Sequence, residues 1–213
     1  MSDTGIFWIR DDFRIENNPA LSFATQNHEN VIALYIYNNK NFDNQTEAQK
    51  WWVSKSLEVF KTDLSKYNIN LQIVKGDELD VFSKIKKKDN LSIYWNKVYE
   101  PDVIAKGKKI RDVFLKNEIN FKYFKGNILN EFQDVTKNDG TPFKVFTPFW
   151  RTAEQIYLSL APTKNYIVKK MNKEKTFFKN YIEPKSILPK KNWYKKFDKY
   201  WDISEKNSKK ILN

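Results

Sequence analysis

"GIFWIRDDFRIENNPAL" (residues 5–21) opens as a strand and closes as a helix, with two acids and two arginines packed into the five positions between. Ile6 to Ile9 form a continuous apolar run, the pattern of a strand buried on both faces rather than one. Asn17-Asn18-Pro19 then supplies an N-cap amide and a proline suited to the first helical turn. Strand, charged turn and helix make the first half of a βαβ unit, and the same alternation recurs downstream. "VIALYIY" (31–37), "LQIV" (71–74), "LSIYW" (91–95) and "FKYF" (121–124) read as strands, and helical periodicity covers about 18–28, 46–67, 77–88 and 101–118. The prediction is an α/β, doubly wound fold with a mainly five-stranded parallel sheet flanked by helices. Ligands of such sheets sit beyond the carboxyl ends of the strands, here residues 10–18, 37–46, 75–78 and 96–101.

After residue 124 the alternation stops. Residues 131–160 hold a turn at Asn138-Asp139-Gly140, a proline-bounded aromatic cluster and a helix expected from about 148 to 160. From 161 to 213, prolines, scattered aromatics and many lysines suggest an extended connector anchored by side chains such as Trp193 and Trp201. Of the net charge of +12, residues 161–213 carry +10, from 15 lysines against 5 acids. Clustered lysines gain affinity for phosphates by counterion release; a lysine-rich compositional drift gives the same count. Among 38 basic residues only Arg10, Arg14, Arg111 and Arg151 are arginines, the side chain able to make bidentate contacts.

The totals exclude several chemistries. There is no cysteine, and His28 is the only histidine, so disulfides, thiolate catalysis, zinc and histidine-based catalysis are not expected. No apolar run approaches the roughly 18 residues a membrane helix needs, and the N-terminus lacks a signal-peptide pattern. A soluble, cytoplasmic protein is expected. The five glycines never reach phosphate-loop spacing, which weakens a dinucleotide oxidoreductase reading.

Three stretches meet at the carboxyl edge: Arg10 to Arg14, where Asp12 could simply pair with Arg14 or Arg10; Tyr35 and Tyr37, of which alternation buries one and leaves the other to line a pocket; and "WNKVYEPD" (95–102), with Trp95, Asn96, Tyr99 and Glu100. Aromatic walls beside a few fixed polar groups suit a planar heterocycle. No nucleophile with a base and an orienting group is visible, so no catalytic residue is assigned. "DELD" (77–80) reads as an acidic helix N-terminus.

These stretches, together with "GNIL" (126–129), "GTPFKVFTPFWR" (140–151) and "EAQKWWVSKSL" (47–57), resemble the DNA photolyase and cryptochrome family. "SILPKKNW" and "WDISEKNSKKIL" are similar to that family's interdomain connector and to the entry of its helical domain. The resemblance implies a photolyase-type α/β antenna domain at 1–130, an aromatic segment and closing helix at 131–160, and at 161–213 a linker leading to a helical FAD domain that the 213 residues do not include. The implied function is light harvesting for a deoxyribodipyrimidine photolyase, a carbon–carbon lyase that repairs pyrimidine dimers by light-driven electron transfer. This chain alone is then expected to be inactive. The implied cofactor is an antenna chromophore, with methenyltetrahydrofolate favoured over a deazaflavin or FMN, and FAD belongs to the helical domain. The implied partners are that domain, in the same protein or a separate chain, and damaged DNA through the full-length protein, with no membrane. The chromophore pocket is expected to use Arg10, Tyr37, Asn96, Tyr99 and Glu100, with Trp51 as a wall. Asp11 replaces the family's usual Arg or Gln, which disfavours an anionic chromophore. "VFTPFW" (145–150) is apolar enough to meet the helical partner. The alternatives are a cryptochrome-type blue-light photoreceptor and, outside the family, a nucleotide-binding α/β protein whose basic tail holds nucleic acid.

Overall fold

The computed structural model describes residues 3–38, 46–159 and 166–212. Residues 39–45, within the expected strand end 37–46, and residues 160–165 lie outside the described residues. Two compact units are present, 1–124 with 166–213, and 125–165.

Five parallel strands form the larger unit: β1 (Thr4–Ile9), β2 (Asn30–Tyr37), β3 (Asn70–Lys75), β4 (Leu91–Asn96) and β5 (Asn120–Phe124). Their order is β3-β2-β1-β4-β5. Alternation along β1 splits the core in two. Phe7 and Ile9 join Ala33, Tyr35 and Leu71 under helices α1 (Pro19–Asn27) and α2 (Glu47–Ser65). Ile6 and Trp8 join Leu34, Ile93 and Trp95 under α3 (Glu78–Ser83) and α4 (Pro101–Lys116). Because the chain reverses direction across the sheet after β3, right-handed crossovers place the later helices on the opposite face, and β1 and β4 flank the switch point. The doubly wound, five-stranded parallel fold is as the sequence predicts.

Local chemistry sets the element ends. Asn18 caps α1 by accepting the Leu21 amide at 3.1 Å, with Pro19 in the first turn. A capping box of Thr46 and Gln49 starts α2. Asp77 caps α3 by accepting the Leu79 amide at 2.9 Å. This helix ends at Ser83, short of the predicted 88, because buried Ile85 turns the chain back and Asn90, at φ 49°, redirects it into β4. At Gly5 an added Cβ would come within 2.8 Å of the His28 ring, whose Nε2 is hydrogen-bonded to Tyr94 Oη at 2.7 Å.

Residues 166–212 wrap the α/β unit. Ile182 pairs with Ile73 in an antiparallel bridge, and Gln72 Oε1 accepts the Phe177 and Phe178 amides at 3.2 and 3.0 Å. The strap thereby covers the edge strand β3, which would otherwise offer unpaired backbone groups. Two 3₁₀ turns (Pro184–Ile187 and Asn192–Lys199) follow along α2, where Ser54 Oγ donates to the Pro184 carbonyl at 2.8 Å. Val168, Met171, Ile187 and Tyr194 are the strap's buried hydrophobic anchors, while half-buried Trp193 donates to Glu47 on α2 at 2.5 Å and exposed Trp201 meets Trp52 edge-on, so the two tryptophans expected as anchors touch α2 without being buried. Helix α6 (Glu205–Leu212) ends the described chain.

The smaller unit holds the Asn138–Gly140 turn, with Gly140 at φ +78°, and helix α5 (Phe146–Ser159). Val145, Phe146, Phe149 and Trp150 are all exposed.

Candidate functional site

The switch point is built on a buried amide. Asn96, the last residue of β4, donates from Nδ2 to Asp12 Oδ2 at 2.5 Å and to Asn18 Oδ1 at 2.8 Å, and its Oδ1 accepts the Ala20 amide at 3.2 Å. Asp12 accepts the Arg10 amide at 3.0 Å through its other oxygen. Burial pushes the Asp12 carboxyl above the usual carboxylate range, opposed by these bonds from Arg10 and Asn96. The expected Asp12–arginine pair is therefore replaced by an amide clamp: neither Arg14 nor Arg10 makes an ion pair with it, and Arg14 reaches the Asn17 carbonyl at 3.4 Å. A strand end, a turn and a helix start are fixed by one side chain.

Beside the clamp, the Arg10 guanidinium lies over the Trp8 ring, 4.2 Å from its centroid. Burial lowers its proton affinity, while the fields of Glu78, Asp11, Asp12 and Glu100 act to raise it. Among the described residues it has no hydrogen-bond acceptor. Tyr37 is half-buried at the end of β2, and Tyr35, its neighbour in alternation, is in the core with its phenol pushed upward by burial. Tyr99 is half-buried, and Glu100 is exposed at the N-cap of α4 without a side-chain cap bond. Lys106 on α4 bridges Asp77, at 2.7 Å, and Glu78, and Asn38 Nδ2 donates to both carboxylates at 3.0 and 3.3 Å. Burial alone would raise the Asp77 carboxyl, but the Lys106 and Leu79 hydrogen bonds bring it below the usual range.

The predicted residues thus separate. Arg10, Tyr37 and Glu100 contribute to one polar edge with Glu78, and Asn96 sits beneath it, its hydrogen bonds directed to the turn. Trp51 lies elsewhere, under the C-terminal strap, 5.5 Å from Phe197 and with Nε1 3.4 Å from Asp198 Oδ1. Its neighbour Trp52 instead opens onto a cavity of about 560 Å³, lined also by Asp11, Phe13, Phe60, Trp201 and Glu205. Sequence reasoning missed Glu78, Lys106 and this cavity. The Trp51/Trp52 choice was readable: Trp51, Ser54, Leu57, Phe60 and Leu64 share the buried stripe of α2, and Trp52 falls beside it. Among the described residues there is no group of three or more acids or histidines placed for a metal, and no helix long and apolar enough to cross a membrane.

Residues 5–167 match the family model described as DNA photolyase. A deoxyribodipyrimidine photo-lyase of Agrobacterium fabrum is 27% identical over 205 residues, 94% of this chain and 42% of the relative. Cryptochrome-1 of Arabidopsis thaliana is 27% identical over 149 residues, 68% of this chain and 22% of the relative. The crystal structure of a bacterial class III photolyase from Agrobacterium tumefaciens superposes with a TM-score of 0.83 at 25% identity, over all of this chain and 44% of that one. The chain thus spans less than half the length of the relatives it matches. With the switch-point turn, the strand order and the sequence match in agreement, it belongs to the DNA photolyase family.

Proposed function

We propose that this chain is the light-harvesting domain of a deoxyribodipyrimidine photolyase. It holds a planar antenna chromophore at the carboxyl edge of the sheet, while FAD and the reversal of pyrimidine dimers in damaged DNA belong to the portion of the relatives' length that the chain does not span. The observation that carries the reading is Arg10: a half-buried guanidinium, stacked on Trp8 and surrounded by four carboxylates, with no hydrogen-bond acceptor among the described residues. A guanidinium held this way has donors to spare for a ligand carbonyl. Arg10, Tyr37, Tyr99 and Glu100 line the site in this reading. Asn96 sets the turn that carries Arg10, and Trp51, under the C-terminal strap, stands apart from this site.

The field at Arg10 comes from four acids, Glu78, Asp11, Asp12 and Glu100. That field disfavours a phosphate-bearing flavin and suits methenyltetrahydrofolate, whose methenyl bridge is cationic. The test mixes the protein with methenyltetrahydrofolate, a deazaflavin and FMN in turn and records absorption. A shifted folate band, lost in Arg10→Ala, is the expected result; unshifted spectra for all three overturn the reading. The match to Cryptochrome-1 favours a second reading, a blue-light photoreceptor domain. Chromophore uptake without dimer repair by the full-length protein would select it.

A further inference from the structure

Residues 190–212 hold eight lysines and three acids, and the structure disposes of the acids one by one. Asp198 sits 3.5 Å from Lys55 and takes the Trp51 indole N–H. Asp202 accepts the Ser204 amide at 3.2 Å. Glu205 accepts the Ile15 and Glu16 amides at 2.9 and 3.1 Å. Among the described residues, of these lysines only Lys209 is engaged, with Glu16. Lys190, Lys191, Lys195, Lys196, Lys199, Lys206 and Lys210 are exposed and make no ion pair among the described residues. The carboxylates face inward or are spent locally, and the ammonium groups are left to solvent.

Aromatic rings lie between the two lysine groups. Tyr200 is 80% and Trp201 55% exposed, in the sequence "KKFDKYWDISEKNSKK" (195–210). Trp201 is held by an edge contact to Trp52, ring centroids 5.5 Å apart at 81°. On α6, Lys206, Lys209 and Lys210 fall at i, i+3 and i+4 and share one face.

We propose that residues 190–212 form a lesion-independent binding surface for single-stranded nucleic acid, with phosphates on the lysines and bases stacked on Trp201 and Tyr200. Unpaired bases offer flat faces to such rings whatever their sequence, and a flexible single strand can follow lysines on both sides of them. A lipid surface fits less well. Helix α6 has eight residues, and its only large apolar side chains are Ile211 and Leu212 at one end, so no apolar face runs along it. The inference does not depend on a bound chromophore.

The test titrates the 213-residue chain against a labelled oligothymidylate of about 12 nucleotides, its duplex, and phosphatidylserine vesicles. About four phosphate contacts would give a log–log salt slope near −3, hence about a 50-fold affinity loss between about 50 and 200 mM salt. The Lys195→Gln/Lys196→Gln/Lys199→Gln variant should lower that slope by about two. Trp201→Ala should weaken single-strand binding about ten-fold at fixed salt with the slope unchanged, and Trp201→Phe should retain most of the affinity. Circular dichroism checks that each variant is folded. Salt-insensitive binding, unchanged affinity in the lysine variant, equal affinity for duplex with Trp201→Ala silent, or stronger binding to the vesicles would each overturn the proposal.

Discussion

Replacing Asn96 by alanine separates a structural amide from a ligand contact, because the two roles predict different losses. The side chain makes three hydrogen bonds in a buried setting: to the Asp12 carboxylate, to Asn18 Oδ1 and from the Ala20 amide. A bond to a charged group contributes about 1.5–3 kcal/mol and each neutral one about 1 kcal/mol, and the Asp12 carboxylate and Ala20 amide are left under-satisfied in the interior. The sum is about 3–5 kcal/mol, a large share of the stability of a domain this size. In urea unfolding followed by far-UV circular dichroism, the midpoint should fall by about 1–2 M. Asn96→Asp sharpens the test. It sets a second carboxylate against a buried one, so the loss should be greater at neutral pH than near pH 4, where a proton can be shared. A cost below about 1 kcal/mol for Asn96→Ala, with chromophore uptake abolished in a protein of unchanged stability, would refute the clamp and make Asn96 a direct ligand contact.

Gly5→Ala would press a methyl against a His28 ring whose Nε2 is hydrogen-bonded to Tyr94 Oη, and should cost about 1–3 kcal/mol, read as a lower thermal midpoint. Glu205→Ala removes the acceptor for the Ile15 and Glu16 amides across 190 and 189 residues of chain, so hydrogen exchange at those two amides should accelerate at least about ten-fold while the β-strand amides stay protected. Asp12 and Asp77, shifted in opposite directions, should show opposite pH dependence. The folded-state affinity of Asp12 for a proton is raised by burial, so its contribution to stability declines as pH rises from the ordinary carboxylate range through the raised value; for Asp77, depressed by Lys106, stability is present above that range and lost as pH falls through the lowered value. Comparing pH–stability curves of Asp12→Asn and Asp77→Asn with the parent checks both signs.

The fold was legible because both its signals are local. Continuous apolar runs marked β1, β2 and β4 as buried on two faces, and those three strands are buried throughout apart from half-buried Tyr37. The Asn18 and Asp77 caps could be read from two or three adjacent residues each. The strap was less legible. Met171, Ile187 and Tyr194 carry no periodicity, and their burial depends on where β3 and α2 present backbone and hydroxyl groups to them. Trp193 and Trp201 do touch α2, through Glu47 and Trp52, but at its surface rather than in the core.

The site divides along the same line. Arg10, Tyr37 and Glu100 were placed at one edge by the parallel-sheet rule, which needs only the strand ends. The pairing of Asp12 could not be settled that way, since its partner is chosen by strand order: Asn96 reaches Asp12 only because β4 lies beside β1, across 84 positions of chain. Nearby arginines lost that competition because Arg10 is drawn onto Trp8 and Arg14 toward the Asn17 carbonyl. The consequence runs on to function. By satisfying Asp12 with an amide, the turn keeps Arg10 out of an internal ion pair and leaves a guanidinium with uncommitted donors at the switch point of the sheet, where this fold binds its ligands.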